Sequence, residues 1–272
     1  MTPETLRRIL DKIEYQDRFL VQQITFNWRG EPLMNKQYIE LLRVFEGRRY
    51  IYDLQFHTNA TLLTEKTVKS LLSIKVPYTV YLSIDGGSAA SHDLHRGLGT
   101  FKKAMRGARE LLSQRGERKN PTVGLYQLDL LECEENYDPE FISLKSEVDL
   151  YQRVRPVLPD GDEEVFRTQS TTVGGSSLVK EWERKSFVKK IPQGPCFWAG
   201  NSLNITPMGD VYICILSHTT DGLLGNILMD DVEEIVERAS NFRRLLENEG
   251  RSSVPHCRSC SKGVGAINTF SK

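Results

Sequence analysis

Four of the five cysteines in this chain stand after residue 195, and their spacing is that of a metal or cluster site. Seventeen residues separate Cys196 from Cys214, forty-two more precede Cys257, and Cys257 and Cys260 form a C-x-x-C turn. Such a turn aims two sulfurs at one centre, and four thiolates suffice for one tetrahedral metal or one cubane cluster. All-cysteine sets serve both zinc and iron-sulfur, so spacing leaves zinc, iron-sulfur and buried thiols that bind nothing open. Gly209, with four residues between it and Cys214, falls where a hairpin turn needs positive φ. Cys133, in Glu132-Cys133-Glu134-Glu135, reads as a bystander.

A second stretch, Thr25 to Asn35, carries a carboxylate, Glu31, at the tip of an apolar run, between Gly30 and Pro32. Strand ends are where α/β folds place their chemistry, so the position raises the question whether Glu31 binds a ligand or merely turns the chain. The plain alternative is a carboxylate that caps the next helix. His92 and His95 have metal-ligand spacing but no third ligand nearby, which predicts capping or pairing with Asp93 rather than metal binding.

The elements that must position these residues alternate along the chain. Leu6, Ile9, Leu10 and Ile13 give one helical stripe behind the cap Thr2 and Pro3. Strand patterns follow at Val21–Phe26, Tyr50–Phe56, Tyr78–Ile84, Val123–Leu131 and Val148–Val154. Helical patterns lie between them at Lys36–Phe45, Glu65–Leu72, Phe101–Leu112, behind the cap Thr100, and Pro139–Lys145. This order predicts a parallel sheet, open or curled into part of a barrel. Three segments are expected: residues 1–155 as the barrel, 156–195 as a linker with the acidic run Asp160–Glu164, and 196–272 as the cysteine-bearing part. In the last, Ser202–Pro207 and Asp210–Leu216 form a hairpin and Val232–Leu246 a helix.

With 36 Lys+Arg against 36 Asp+Glu in 272 residues, nothing in the charge favours a nucleic-acid partner or an anionic membrane. No apolar run is long enough to span a bilayer, and the charged N-terminal helix lacks a signal peptide's apolar centre, which predicts a cytoplasmic protein.

Taken together, the motifs resemble radical S-adenosylmethionine (radical SAM) enzymes of the SPASM/twitch subgroup. Gly30-Glu31-Pro32 looks like the family's Gly-Gly-Glu-Pro motif, with Arg29 in place of the first glycine; Thr58-Asn59-Ala60-Thr61 resembles its Thr-Asn-Gly segment. Ser83-Ile84-Asp85-Gly86, with His92-Asp93 and Arg96-Gly97, is similar to the fourth-strand signature. Gly209-x4-Cys214, Leu224-Gly225-Asn226-Ile227 and Cys257-x-x-Cys260 look like the auxiliary-cluster domain. The resemblance implies a partial (β/α)6-type barrel missing its first strand, followed by a small C-terminal SPASM/twitch iron-sulfur domain. It implies one auxiliary 4Fe-4S cluster on Cys196, Cys214, Cys257 and Cys260. It also implies a cradle for S-adenosylmethionine, with the amine at Gly30 and Glu31, neighbouring contacts from Thr58, Asn59 and Ser83, and the carboxylate on Arg96. The substrate class is a peptide or small molecule.

The family's C-x3-C-x2-C loop, which holds the radical-generating cluster, is not found in the chain. Two expectations follow. One is a truncated relative whose Met1 is an internal methionine, with S-adenosylmethionine bound weakly or only in an extended form. The other is a non-catalytic metal-binding scaffold or substrate-presenting partner that kept the cleft. A barrel hydrolase using Glu31 and Asp85 as acid and base near His57 is a third reading, and it leaves the cysteines unexplained.

Overall fold

The computed structural model describes residues 1–16, 21–27, 30–50, 52–128, 134–154, 196–215 and 222–258. Arg29, Cys133, the expected linker 156–195 and Cys260 lie outside the described residues. The chain divides into two compact units, one built on the first sheet and the other uniting the N-terminal helix with the C-terminal elements.

The first unit is a five-stranded parallel sheet in the order β1 (Gln23–Thr25), β2 (Asp53–Thr58), β3 (Tyr78–Ser83), β4 (Thr122–Leu128) and β5 (Leu150–Val154). Its crossovers are α2 (Tyr38–Arg43), α3 (Glu65–Leu72), α4 (Ala89–Arg96) with α5 (Thr100–Arg115), and α6 (Pro139–Glu147). Parallel strands need such connections, which is why helix and strand patterns alternate in the sequence. Register places Phe56 opposite Val80, His57 opposite Tyr81, and Ser83 opposite Tyr126.

Because side chains alternate along a strand, this register sorts them into two faces. Leu54, Phe56, Tyr78, Val80, Leu82, Val123 and Leu125 are buried on one. There Tyr38 of α2 packs edge-on against Phe56, and the Tyr78 hydroxyl donates to the Leu71 carbonyl of α3 at 2.9 Å. The opposite face carries Gln23, Thr25, Asp53, Gln55, His57, Tyr81, Ser83 and Tyr126, with Gln55 Nε2 donating to Thr25 Oγ1 at 2.8 Å and Gln23 Nε2 to Asp53 Oδ2 at 2.8 Å. Gly124 on β4 makes room for Tyr81, since a Cβ there would stand 2.5 Å from the ring.

A second close approach fixes α5 against the turn after β2. A Cβ on Gly107 would lie 2.0 Å from the carbonyl oxygen of Ala60, itself held at φ 61°. Backbone cannot retreat as a side chain does, so Gly107→Ala is expected to destabilise the unit by about 2 to 3 kcal/mol. A thermal melt should fall by roughly 5 to 10 °C, and an unchanged midpoint would refute the contact.

The second unit contains an antiparallel sheet of β6 (Asn204–Ile205), β7 (Asp210–Tyr212) and β8 (Leu223–Asn226). Gly209 turns β6 into β7 at φ 92°, as the spacing predicts. Of its helices, α7 (Phe197–Asn201) is short, and α8 (Val232–Asn248) is capped where the Asp231 carboxylate accepts from Glu233 N at 2.7 Å. Ile9 of α1 (Pro3–Tyr15) joins Val211, Ile213, Leu224, Ile235 and Leu246 in one apolar core. Lys12 Nζ donates to the Asp230 carbonyl at 2.9 Å, tying α1 to the entry of α8. No helix among the described residues is long and apolar enough to cross a membrane.

Candidate functional site

The C-terminal ends of the parallel strands bring together most of the residues singled out by sequence. Gly30, at φ 79°, turns the chain after β1 into Glu31. One Glu31 carboxylate oxygen accepts from Leu33 N at 3.2 Å, capping the one-turn helix Pro32–Met34, and from the Thr58 hydroxyl at 2.6 Å. The other accepts from Asn59 N at 2.7 Å. Glu31 is therefore both a cap and a clasp, binding the turn after β1 to the turn after β2. Asn59 in turn accepts from Thr61 N at 3.0 Å and from its hydroxyl at 2.7 Å, which shapes the loop.

Asp85, just after β3, is the electrostatic centre of the next turn. It is 1% exposed and pairs with Arg96 Nε at the end of α4. Burial alone would raise its pKa, but the Arg96 and His95 charges and the Arg96 hydrogen bond bring it below the usual carboxylate value. Its Oδ1 has no hydrogen-bond partner among the described residues. Arg96 spends Nε on Asp85, and its charge is also felt by Glu31 and Tyr126. The Arg96 side chain keeps 24% of its surface, and its terminal nitrogens bond no described residue.

The histidines correct one expectation. His92 and His95 pair with Asp85, not with Asp93: His92 Nδ1 is 3.1 Å from Asp85 N and 3.0 Å from its carbonyl, and His95 Nε2 is 3.3 Å from Asp85 Oδ2. Both rings are 1% exposed. Burial pushes His95 down to about 4 despite the adjacent carboxylate, because Arg96 already occupies that oxygen. Asp93 instead caps α5, accepting from Gly99 N at 2.6 Å and Phe101 N at 2.7 Å. The cap of this helix is thus a carboxylate from the preceding one and not Thr100, whose hydroxyl also donates to Asp93.

These contacts remove the hydrolase reading. Asp85 is sealed in an ion pair and Glu31 is saturated with donors, so neither is placed as a free acid or base. Ser83 lies at the end of β3 opposite Tyr126 and its hydroxyl is bonded to no described residue. Gly30, Glu31, Thr58, Asn59, Ser83 and Arg96 therefore share the mouth of one sheet. Tyr126, which sequence reasoning passed over, shares it too; the signal was its alternation with Gly124 on the polar face.

In the C-terminal unit Cys196 opens α7, Cys214 follows β7 and Cys257 ends the turn Pro255–Cys257. All three are 8% exposed and belong to the same apolar core. Among the described residues no three Cys, His, Asp or Glu side chains enclose an ion by themselves. Three soft donors within one apolar core suit a thiolate-bound cluster better than a hard cation, which would draw oxygen ligands. Phe242 packs on this core, and Trp198 is 41% exposed.

Comparison with known proteins agrees with this layout. The profile of the Radical SAM superfamily matches residues 1–137, and that of SPASM, an iron-sulfur cluster-binding domain, matches residues 196–261. Mycofactocin maturase MftC of Mycobacterium tuberculosis (strain H37Rv) is 25% identical over 97% of this chain and 71% of its own length. MftC of Mycolicibacterium smegmatis is 26% identical over 99% and 72%. Among solved structures, anSMEcpe with bound AdoMet superposes with a TM-score of 0.62 at 19% identity, covering 96% of this chain and 76% of the other. BtrN in complex with AdoMet and 2-DOIA gives 0.54 at 15%, covering 96% and 80%. With its five parallel strands, their helices and the cysteine-bearing C-terminal unit, the chain belongs to the radical SAM superfamily and carries a SPASM iron-sulfur cluster-binding domain.

Proposed function

We propose that this chain forms the S-adenosylmethionine cradle and the auxiliary-cluster part of a radical enzyme that modifies a peptide or small molecule. The observation that carries this is the convergence of Glu31, Thr58, Asn59, Ser83 and Arg96 at the strand ends. With its carboxylate consumed by internal donors, Glu31 offers its backbone, together with Gly30, to the methionyl amine. Thr58, Asn59 and Ser83 supply neighbouring polar contacts. Arg96, fixed through Nε, turns its remaining nitrogens to the carboxylate. Bound S-adenosylmethionine supplies a sulfonium whose reductive cleavage starts radical chemistry. Cys196, Cys214, Cys257 and Cys260 would hold one 4Fe-4S cluster. Similarity to the MftC maturases, and to anSMEcpe solved with AdoMet and the Kp18Cys peptide, supports a peptide as the second substrate.

Isothermal calorimetry with S-adenosylmethionine should show weak binding, reduced about ten- to a hundredfold by Arg96→Ala, since a charge-assisted hydrogen bond contributes roughly 1.5 to 3 kcal/mol. A melt of the variant reports separately on the orphaned Asp85. Affinity indifferent to Arg96 would overturn the assignment.

One observation favours a second reading, a non-catalytic scaffold: no cysteine precedes Cys133 in the sequence, so residues 1–132 offer no thiolate set for a radical-generating cluster. Incubated with S-adenosylmethionine and dithionite, the 272-residue chain is expected to release no 5'-deoxyadenosine. Release would refute this account of the missing thiolates.

A further inference from the structure

The polar face of the parallel sheet holds a group of side chains that the cradle does not use. His57 of β2 stacks on Tyr81 of β3, with centroids 4.7 Å apart, and meets Tyr126 of β4 edge-on at 4.8 Å. Gly124 is the position that lets the Tyr81 ring lie across β4. The three rings therefore form one floor over adjacent strands. Their polar tips have no internal use among the described residues: outside the strand ladder His57 bonds through its backbone N–H, to Asn27 Oδ1 at 3.0 Å, and neither tyrosine hydroxyl bonds a described residue. Tyr81 is 7% exposed, and His57 and Tyr126 are partly exposed. Polar groups this far buried ordinarily find partners, and a set left without them on one face of a sheet is the mark of a binding surface.

We infer that His57, Tyr81 and Tyr126 form a second ligand subsite, beside the cradle, that takes a neutral peptide amide of the reacting molecule. An amide asks for an acceptor for its N–H and a donor for its carbonyl, and a neutral imidazole with a phenol hydroxyl supplies that pair. Charge is disfavoured on both signs. Burial pushes His57 down to about 4, so it is uncharged at neutral pH, and raises Tyr126 to about 12, so its hydroxyl remains a donor. Arg96, whose charge acts on Tyr126, is already paired with Asp85, and an ionised ligand group would be desolvated here without a counter-charge. That this amide belongs to the enzyme's second substrate rests on the function proposed above; the subsite itself rests on the three rings.

The test uses the whole chain labelled with 15N in its imidazoles, His57 being assigned by its loss in His57→Gln. N-acetylglycinamide is added as a minimal peptide unit, with acetate and methylammonium as charged counterparts. The His57 ring resonances should shift saturably with the amide and not with either ion. Tyr126→Phe, which removes a hydroxyl bonded to no described residue, should weaken the amide about two- to tenfold, the worth of one neutral hydrogen bond. No saturable shift, a stronger response to an ion, or indifference to Tyr126→Phe overturns the subsite. Loss of S-adenosylmethionine binding with the amide response intact would instead strike the cradle.

Discussion

Lowering the pH from 7 to 5 is expected to remove about 4 kcal/mol of folding stability from the sheet unit. His57 and His95 are both pushed down to about 4 by burial, whereas in an unfolded chain each would titrate near its ordinary 6.5. Between those values the unfolded state binds a proton that the native state refuses, so stability is complete above 6.5 and falls as the pH drops toward 4. At pH 5 each imidazole accounts for about 1.5 pH units at roughly 1.36 kcal/mol each, hence about 2 kcal/mol per residue. His92, also lowered by burial, acts in the same direction. Asp85 works in a lower window: its folded value lies below the ordinary 3.8, so its contribution persists down to that pH and is lost only beneath it. Urea titrations at pH 7 and pH 5 read the effect directly. The midpoint should fall sharply, His57→Gln and His95→Gln should each flatten the dependence, and equal midpoints would refute the buried neutral imidazoles.

Replacing Cys257 by Ser should abolish cluster assembly. Cys257 sits at 8% exposure in the apolar core shared with Cys196 and Cys214, where a hydroxyl is a poor substitute for a thiolate. Anaerobically reconstituted protein is expected to carry about four irons per chain with broad thiolate-to-iron absorption, and the variant well under one. Cys133→Ser, outside this set, should leave both unchanged. A protein that takes up one zinc tightly and refuses iron would contradict the 4Fe-4S assignment.

The sequence announced most of the sheet because apolar or alternating runs form each strand, and the expected helix Glu65–Leu72 is α3, which the structure caps with Thr64. It did not announce α4. Ala89–Arg96 buries His92 and His95 where a helix of this size usually buries aliphatic side chains, so a search for apolar periodicity passes over it. Strand β2 begins three residues later than expected, at Asp53, since Tyr50 and Tyr52 imitate the alternation they precede. The third strand of the small sheet, Leu223–Asn226, was visible as a motif but too short to read as a strand. At the site, residue types and order pointed to Glu31, Thr58 and Asn59, yet no spacing in sequence tells that the carboxylate is consumed by the turn after β2. That depends on a hydrogen bond across 27 positions.

Helix α1 leaves the ribosome ahead of the whole sheet unit, but the partners of Ile9 and Lys12 follow behind it. The bond from Lys12 to Asp230 spans 218 positions. At about 5 to 20 residues per second, this helix waits roughly ten to forty seconds during synthesis with its apolar stripe uncovered. The sheet unit can be made and closed during that delay, whereas the cysteine-bearing unit can be completed only when α8 has joined α1 outside the exit tunnel. Expression of residues 196–272 without residues 1–16 would accordingly leave Val211, Ile213 and Ile235 short of the side chain that closes their core.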